Sequence, residues 1–305
     1  MALYLILMSA LFAAMQNLFM RRSVDTKGST GFYVFSQLLI SCLIAILLNP
    51  VRSGNYAFDP KVALVGVGLG LLLGLMMWGL GEALKSGSSA LSFATLNSSS
   101  ILPAVLMALL FGASLGHPYR WFNGLGSLLV IAGIFWSSWR DISCKNKMRW
   151  IFFIALASCS YVIFSAGTQW KVLLETNGGS SFMLPFSIDP HKGNWLMPFI
   201  FLSAALFQFV TTKKEGMKFS KETLVYGILG GIANGSSMFF MLYAVSAAFS
   251  WQNAILFPLF SIAVIEICNL FGIYFFKEKI QWLPQYLSVG GLILGSVQWH
   301  MIFGG

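Results

Sequence analysis

Residues 62–84 read VALVGVGLGLLLGLMMWGLGEAL, with a single charge, Glu82, close to the end. A bilayer core about 30 Å thick takes about 20 consecutive apolar residues in a helix. The run therefore reads as a membrane-crossing helix. Within it Gly66, Gly70 and Gly74 recur every fourth residue. Residues four apart share a helix face, and glycine there lets another backbone approach closely. A second run, 223–247, carries Gly227, Gly231 and Gly235, each 161 positions after its counterpart. Two glycine-striped spans at one fixed offset indicate an internal repeat.

Working outward with the same ruler gives ten candidate spans: 2–20, 31–49, 62–84, 90–115, 121–139, 150–174, 194–212, 223–247, 251–276 and 283–303. The expected fold is an all-α polytopic membrane protein of ten transmembrane helices. The composition agrees. The chain has 305 residues, of which 57% are hydrophobic and only 10% charged. Its mean hydropathy is +0.77. A soluble domain is about a quarter charged, so a soluble globule, a disordered chain and a soluble nucleic-acid binder are excluded. Ten spans divide into two five-helix halves, 1–149 and 150–305. An odd number of spans per half makes the second half enter from the opposite side, the inverted-repeat plan of many transporters. Further matches support it: Leu110-Phe111-Gly112 with Leu270-Phe271-Gly272, and Trp139 with Trp299, both at an offset of 160. The first span begins at residue 2 with no basic stretch before it and no small-residue cleavage site after it. It reads as a retained helix.

Alternate linkers differ in charge. One set holds Arg21, Arg22, Lys27, Lys85, Arg140, Lys145, Lys147, Arg149, Lys213, Lys214, Lys218, Lys221, Lys277 and Lys279. The other holds Arg52, Lys61, Arg120, Lys171 and Lys192. Basic residues stay cytoplasmic, so both termini and the loop 176–193 are expected outside. The net charge of +9 is accordingly a topology signal, with anionic lipid contact at the Lys213–Lys221 linker.

Polar side chains in hydrocarbon need a partner or a wet cavity. They concentrate in spans 1, 3, 4, 6, 8 and 9: Gln16 and Asn17; Trp78; Asn97, Ser98, Ser99 and Ser100; Ser158, Ser160, Tyr161, Thr168 and Gln169; Asn234, Ser236, Ser237 and Tyr243; Gln252, Asn253 and Asn269. Pro103 and Pro258 interrupt spans 4 and 9, and a proline frees backbone carbonyls. Glu266 is the one acid near the centre of a span. It reads either as a proton-coupling or substrate-amine site, or as an acid hydrogen-bonded to a neighbour such as Asn269. Glu82, three residues before Lys85, reads as a solvated interfacial pair.

Cys42, Cys144, Cys159 and Cys268 are widely spaced and no histidine joins them, so neither disulfides nor a metal site are expected. The chain lacks G-x-S-x-G, H-E-x-x-H, a P-loop and any paired His–carboxylate motif. No enzyme activity and no cofactor are expected. A membrane-embedded enzyme acting on a lipid-linked substrate, or a channel, stand as alternatives. The enzyme would require a carboxylate or histidine constellation that these residues do not offer.

With these features in view, the chain resembles the drug/metabolite transporter superfamily over essentially its whole length. Leu11–Asn17 and Ala155–Tyr161 look like the small-residue openings of its two repeats. Gly81–Leu84 through Ser98 looks like its passage from third to fourth helix. Phe275-Phe276-Lys277-Glu278-Lys279 resembles the end of its ninth helix. There are departures. Phe111-Gly112-Ala113-Ser114 has no Glu, Pro258 stands farther from Glu278 than the family's proline, and Ala263, not Pro258, matches Pro103 in the repeat frame. Outward termini and Trp78-Gly79-Leu80-Gly81 are compatible with the sugar-porter branch. The resemblance implies secondary transport of a small metabolite by alternating access, in a bacterial inner membrane, as a monomer or dimer. It implies a cavity at Asn17, Trp78, Asn97, Ser98, Tyr161, Asn234, Tyr243, Gln252 and Asn253. With few fixed charges there, the expected substrate is neutral or zwitterionic: amino-acid-, nucleoside- or sugar-like.

Overall fold

The computed structural model describes residues 1–112, 120–140, 146–247, 250–280, 282–297 and 299. Its long helices, in chain order, are α1 (Ala2–Val24), α2 (Thr30–Ile46), α3 (Pro60–Ser86), α4 (Ser89–Ser98), α5 (Leu102–Phe111), α6 (Trp121–Arg140), α7 (Lys147–Asn177), α8 (Leu196–Glu215), α9 (Lys221–Ser246), α10 (Ser250–Phe276) and α11 (Trp282–Ser296). Among the described residues there is no strand, only an isolated bridge between Ser181 and Leu184. Among the described residues eight helical segments are long and apolar enough to cross a membrane, against the ten spans expected; Trp121–Trp136 is a shorter apolar helix.

Two prolines shape the elements. Pro103 cannot donate a backbone hydrogen bond and crowds the carbonyl four residues earlier. The fourth span accordingly breaks into α4, a 3₁₀ turn Ser99–Ile101, and α5. Pro50 has the same effect at the end of α2, where Leu47–Val51 widens into a π-turn. Pro258, by contrast, lies inside continuous α10.

The glycine stripes are close helix–helix seams. A Cβ added at Gly66 would stand 2.8 Å from Phe199 Cβ, and one at Gly74 would stand 2.8 Å from a Phe207 ring carbon. At Gly70 it would collide with Ser203 and the Ile200 carbonyl. α3 thus lies against α8 with both chains running the same way. On the other side of the molecule α9 lies against α2. A Cβ at Gly227 would stand 2.6 Å from Ser36 Cβ, one at Gly231 2.6 Å from Ile40 Cβ, and one at Gly235 2.5 Å from Ile44 Cγ2. α11 crosses α6 antiparallel where Gly126 meets Gly291 and Gly295. Other extensive contacts join α1 to α9 and α10, α7 to α3, α4 and α5, α2 to α8, and α4 to α10.

The connections gather at two ends. At one, Asn55 donates to the His191 carbonyl at 2.7 Å, Asn194 to Ser53 Oγ at 3.1 Å, and Trp195 to the Tyr56 carbonyl at 3.3 Å. At the other, Ser29 N–H reaches the Lys218 carbonyl at 3.0 Å. Also there, Arg149 Nη2 pairs with Glu82 Oε2 at 2.7 Å. Lys85 pairs with the other Glu82 oxygen. This corrects the solvated reading of Glu82: its side chain is 9% exposed and bridges two cations. Arg149, far away in sequence, supplies the second partner that makes the burial tolerable.

Candidate functional site

A cavity of about 290 Å³ opens between α2, α8 and α9. One wall is a single face of α2 and its π-turn: Ser41, Ile44, Ala45, Leu48, Asn49 and Arg52. Met197 and Phe201 come from α8, and Gly235, Met238, Phe239 and Tyr243 from α9. The Gly235 seam against Ile44 forms its closed side. Ser41, Ala45, Phe201 and Gly235 are buried, whereas Arg52 and Tyr243 are exposed. The space therefore runs from an open mouth to a buried floor, at the end where the loops around Asn55 and His191 meet. Its volume lies at the small end of ligand pockets, and its lining mixes apolar walls with a few polar groups, as such sites do.

The polar groups are positioned from below. Asn234 Nδ2 donates to Ser41 Oγ at 2.9 Å, and Ser41 donates to the Gly231 carbonyl at 3.3 Å. Asn49 Nδ2 donates to the Ala45 carbonyl at 2.9 Å. At the mouth the Arg52 guanidinium lies 5.1 Å from the Tyr243 ring centre and 5.6 Å from that of Phe239. Those two rings are 4.7 Å apart. A cation over aromatic faces at this range is attracted by the ring quadrupoles.

Of the expected site residues, Tyr243 lines this cavity and Asn234 holds its Ser41. Of the others, five lie elsewhere and two have side chains outside the described residues. Asn17 reaches Cys268 Sγ at 3.5 Å between α1 and α10. The Trp78 ring stands edge-on to Phe153, centres 5.3 Å apart, between α3 and α7. Asn97 donates to the Phe93 carbonyl of its own helix at 2.8 Å. Ser98 lines a separate, water-sized space of about 10 Å³ with Thr95, Gln285 and Ser288. Tyr161 packs beside the main apolar core. Gln252 and Asn253 fall in the first turn of α10, and their side chains lie outside the described residues. Glu266 stands three residues before Asn269 on α10, and Asn269 donates to Gln285 Oε1 at 2.6 Å. Arg52, Asn49, Met238 and Phe239 were not expected at a site. The signal for Arg52 was its place two residues after Pro50 at a span end, where it reads as a topology charge. Among the described residues no group of His, Cys, Asp and Glu is arranged to hold a metal.

No known family model matches the chain, and no curated protein matches it. Chains of solved structure do match. One, titled "Crystal structure of protein", is 13% identical, with a TM-score of 0.61 over 99% of this chain and 96% of that one. The likeness extends end to end and bears on the fold alone.

Proposed function

We propose that the chain is a secondary transporter that moves a small neutral or zwitterionic metabolite by alternating access. In this reading it has ten spans in two inverted five-helix halves, 1–149 and 150–305, with both termini outside a bacterial inner membrane. The observation that carries it is the exchange of the glycine seams. Gly66, Gly70 and Gly74 meet Phe199, Ser203 and Phe207; Gly227, Gly231 and Gly235 meet Ser36, Ile40 and Ile44. The glycines differ by 161 and their partners by 163 throughout. Swapping the halves therefore turns one seam into the other.

The same swap turns α1 against α9 into α7 against α3. It turns α1 against α10 into α7 against α4 and α5. It leaves α2 with α8, α4 with α10, and α6 with α11 as they are. Two equivalent halves joined through smooth, small-residue seams are suited to rocking about a site between them. The cavity sits on that division, with α2 from one half and α8 and α9 from the other.

The test is metabolite-panel uptake and counterflow in proteoliposomes. A transporter gives saturable uptake that preloaded substrate accelerates. Flux that never saturates points to a channel, and a new lipid product points to an enzyme. Either result overturns the proposal.

A further inference from the structure

The cavity's charges are one-sided. Among its described lining residues there is one cation, Arg52, and no Asp or Glu. Nor does any carboxylate pair with Arg52 elsewhere among the described residues. Other cations at the same end are engaged: Lys171 with Glu175 at 2.5 Å, Lys192 with Asp189 at 3.8 Å, and Lys61 with the Ser187 carbonyl at 3.1 Å. A lone surface arginine is common. This one is held by two aromatic faces over the mouth of a cavity. That arrangement costs the guanidinium side-chain freedom before any ligand arrives, so less is lost on binding. It leaves the guanidinium's in-plane N–H donors unused by the rings. These match a carboxylate with two parallel hydrogen bonds.

Below the mouth the walls are apolar. Ile44, Met197, Phe201 and Met238 offer thioether and ring surfaces that adapt to a compact hydrocarbon or aromatic body. Asn49 sits between the two regions, and Ser41 lies at the buried floor.

We propose that this cavity recognises a small amphipathic molecule through its carboxylate, which pairs with Arg52 while its apolar body lies against Phe201 and Met238. The inference rests on the reading of this cavity as the substrate site. It shifts the substrate class from neutral or zwitterionic metabolites to carboxylates: apolar amino acids remain, and aryl or alkyl acids enter as monoanions. Sugars and nucleosides are excluded. The aromatic pair is the specificity device: it holds the guanidinium at the cavity mouth, and a lysine at position 52 would give charge without the fork.

The experiment is isothermal titration calorimetry on the purified full-length chain in an uncharged detergent. The probes are matched pairs: phenylacetate with phenylacetamide, L-phenylalanine with L-phenylalaninamide, and hexanoate with hexanamide, with inorganic phosphate alongside. At least one acid is expected to bind at least tenfold more tightly than its amide and more tightly than phosphate. Arg52→Gln should abolish that preference, and Arg52→Lys should retain part of it. Each variant's melting temperature without ligand separates loss of binding from loss of folding. Three results overturn the proposal: no acid preferred over its amide, phosphate binding as tightly as the acids, or a preference that survives in Arg52→Gln. Because the wild-type comparison needs no variant and no flux, it stands apart from the transport test. Saturable uptake of a neutral solute without acid-selective binding would leave the transporter reading intact and sink this one.

Discussion

Glu278 Oε2 accepts the backbone N–H of Ala90 at 2.9 Å, so the residue just past the end of α10 caps the start of α4. The same carboxylate accepts Ser88 Oγ at 2.8 Å, Ser89 N–H at 3.0 Å and Ser89 Oγ at 2.7 Å. A helix N-terminus presents unsatisfied donors and a partial positive charge, and a carboxylate there answers both.

Glu278→Ala should therefore lower stability by about 2–3 kcal/mol, since hydrogen bonds to a charged group are worth about 1.5–3 kcal/mol each and do not add fully. Glu278→Gln should lose less, keeping one acceptor. Urea or thermal unfolding of the detergent-solubilised protein reads both. Wild-type stability in Glu278→Ala would show that water replaces the cap without cost.

The glycine seams make a sharper contrast. Gly70→Ala forces a methyl into Ser203 and the Ile200 carbonyl, while Gly68, two residues away, has nothing within 4 Å of an added Cβ. Overpacking of this kind costs about 1–3 kcal/mol. Gly68→Ala should be neutral or slightly stabilising, because alanine is the better helix former. Gly231→Ala should resemble Gly70→Ala, as its half-exchanged counterpart. Equal melting temperatures for Gly68→Ala and Gly70→Ala would remove the case for close seams.

Much of this was legible in the sequence. Hydropathy marked the long apolar helices, eight of which among the described residues are long enough to cross a membrane, against the ten spans expected. Glycines at a fixed offset marked the seams, because backbone approach leaves few alternatives to glycine. Pro103 marked the 3₁₀ break. The missing part concerns partners distant in the chain. Glu82 looked solvated because Lys85 is near in sequence and Arg149 is not. Arg52 looked like a topology charge because nothing local shows Phe239 and Tyr243 closing over it. Asn17 and Asn97 looked like cavity residues because polarity in a span is visible, whereas its satisfaction by Cys268 or by the Phe93 carbonyl is not. The π-turn at Leu47–Val51 follows from Pro50.

Orientation is tested by cysteine labelling. Sites introduced at Asn55 and in 176–193 should react from outside with a membrane-impermeant maleimide, since those loops touch one another. Sites in Lys213–Lys221 and at Lys85 should be protected until the membrane is opened. Labelling of both sets from one side would mean that the ten-span count is wrong.

Tyr243 and Tyr161 separate the two possible locations of the site. Tyr243 lines the cavity and Tyr161 packs beside the core. Tyr243→Ala should raise the half-saturation concentration for uptake at least tenfold with normal membrane insertion. Tyr161→Ala should act mainly on stability. A larger transport defect in Tyr161→Ala than in Tyr243→Ala would move the site to the α1, α3, α7 side.

Glu266 offers the last discrimination. It lies in the middle of α10, and an unpaired ionised carboxylate at that depth costs about 3 kcal/mol on insertion scales. Its neighbour Asn269 already donates to Gln285, and Asn269 Oδ1 is buried without a hydrogen-bond partner among the described residues. Glu266→Gln keeps the shape and removes the titration. If Glu266 couples protons, the variant should lose uptake driven by a pH gradient yet keep exchange of preloaded substrate. If it binds a substrate amine, exchange should fail as well. If it only anchors α10 to α11 through Asn269 and Gln285, both activities should persist with a loss of stability of about 1 kcal/mol, the net worth of one hydrogen bond. Driven uptake and exchange measured on this one variant distinguish the three, and full gradient-driven uptake would eliminate coupling at this residue.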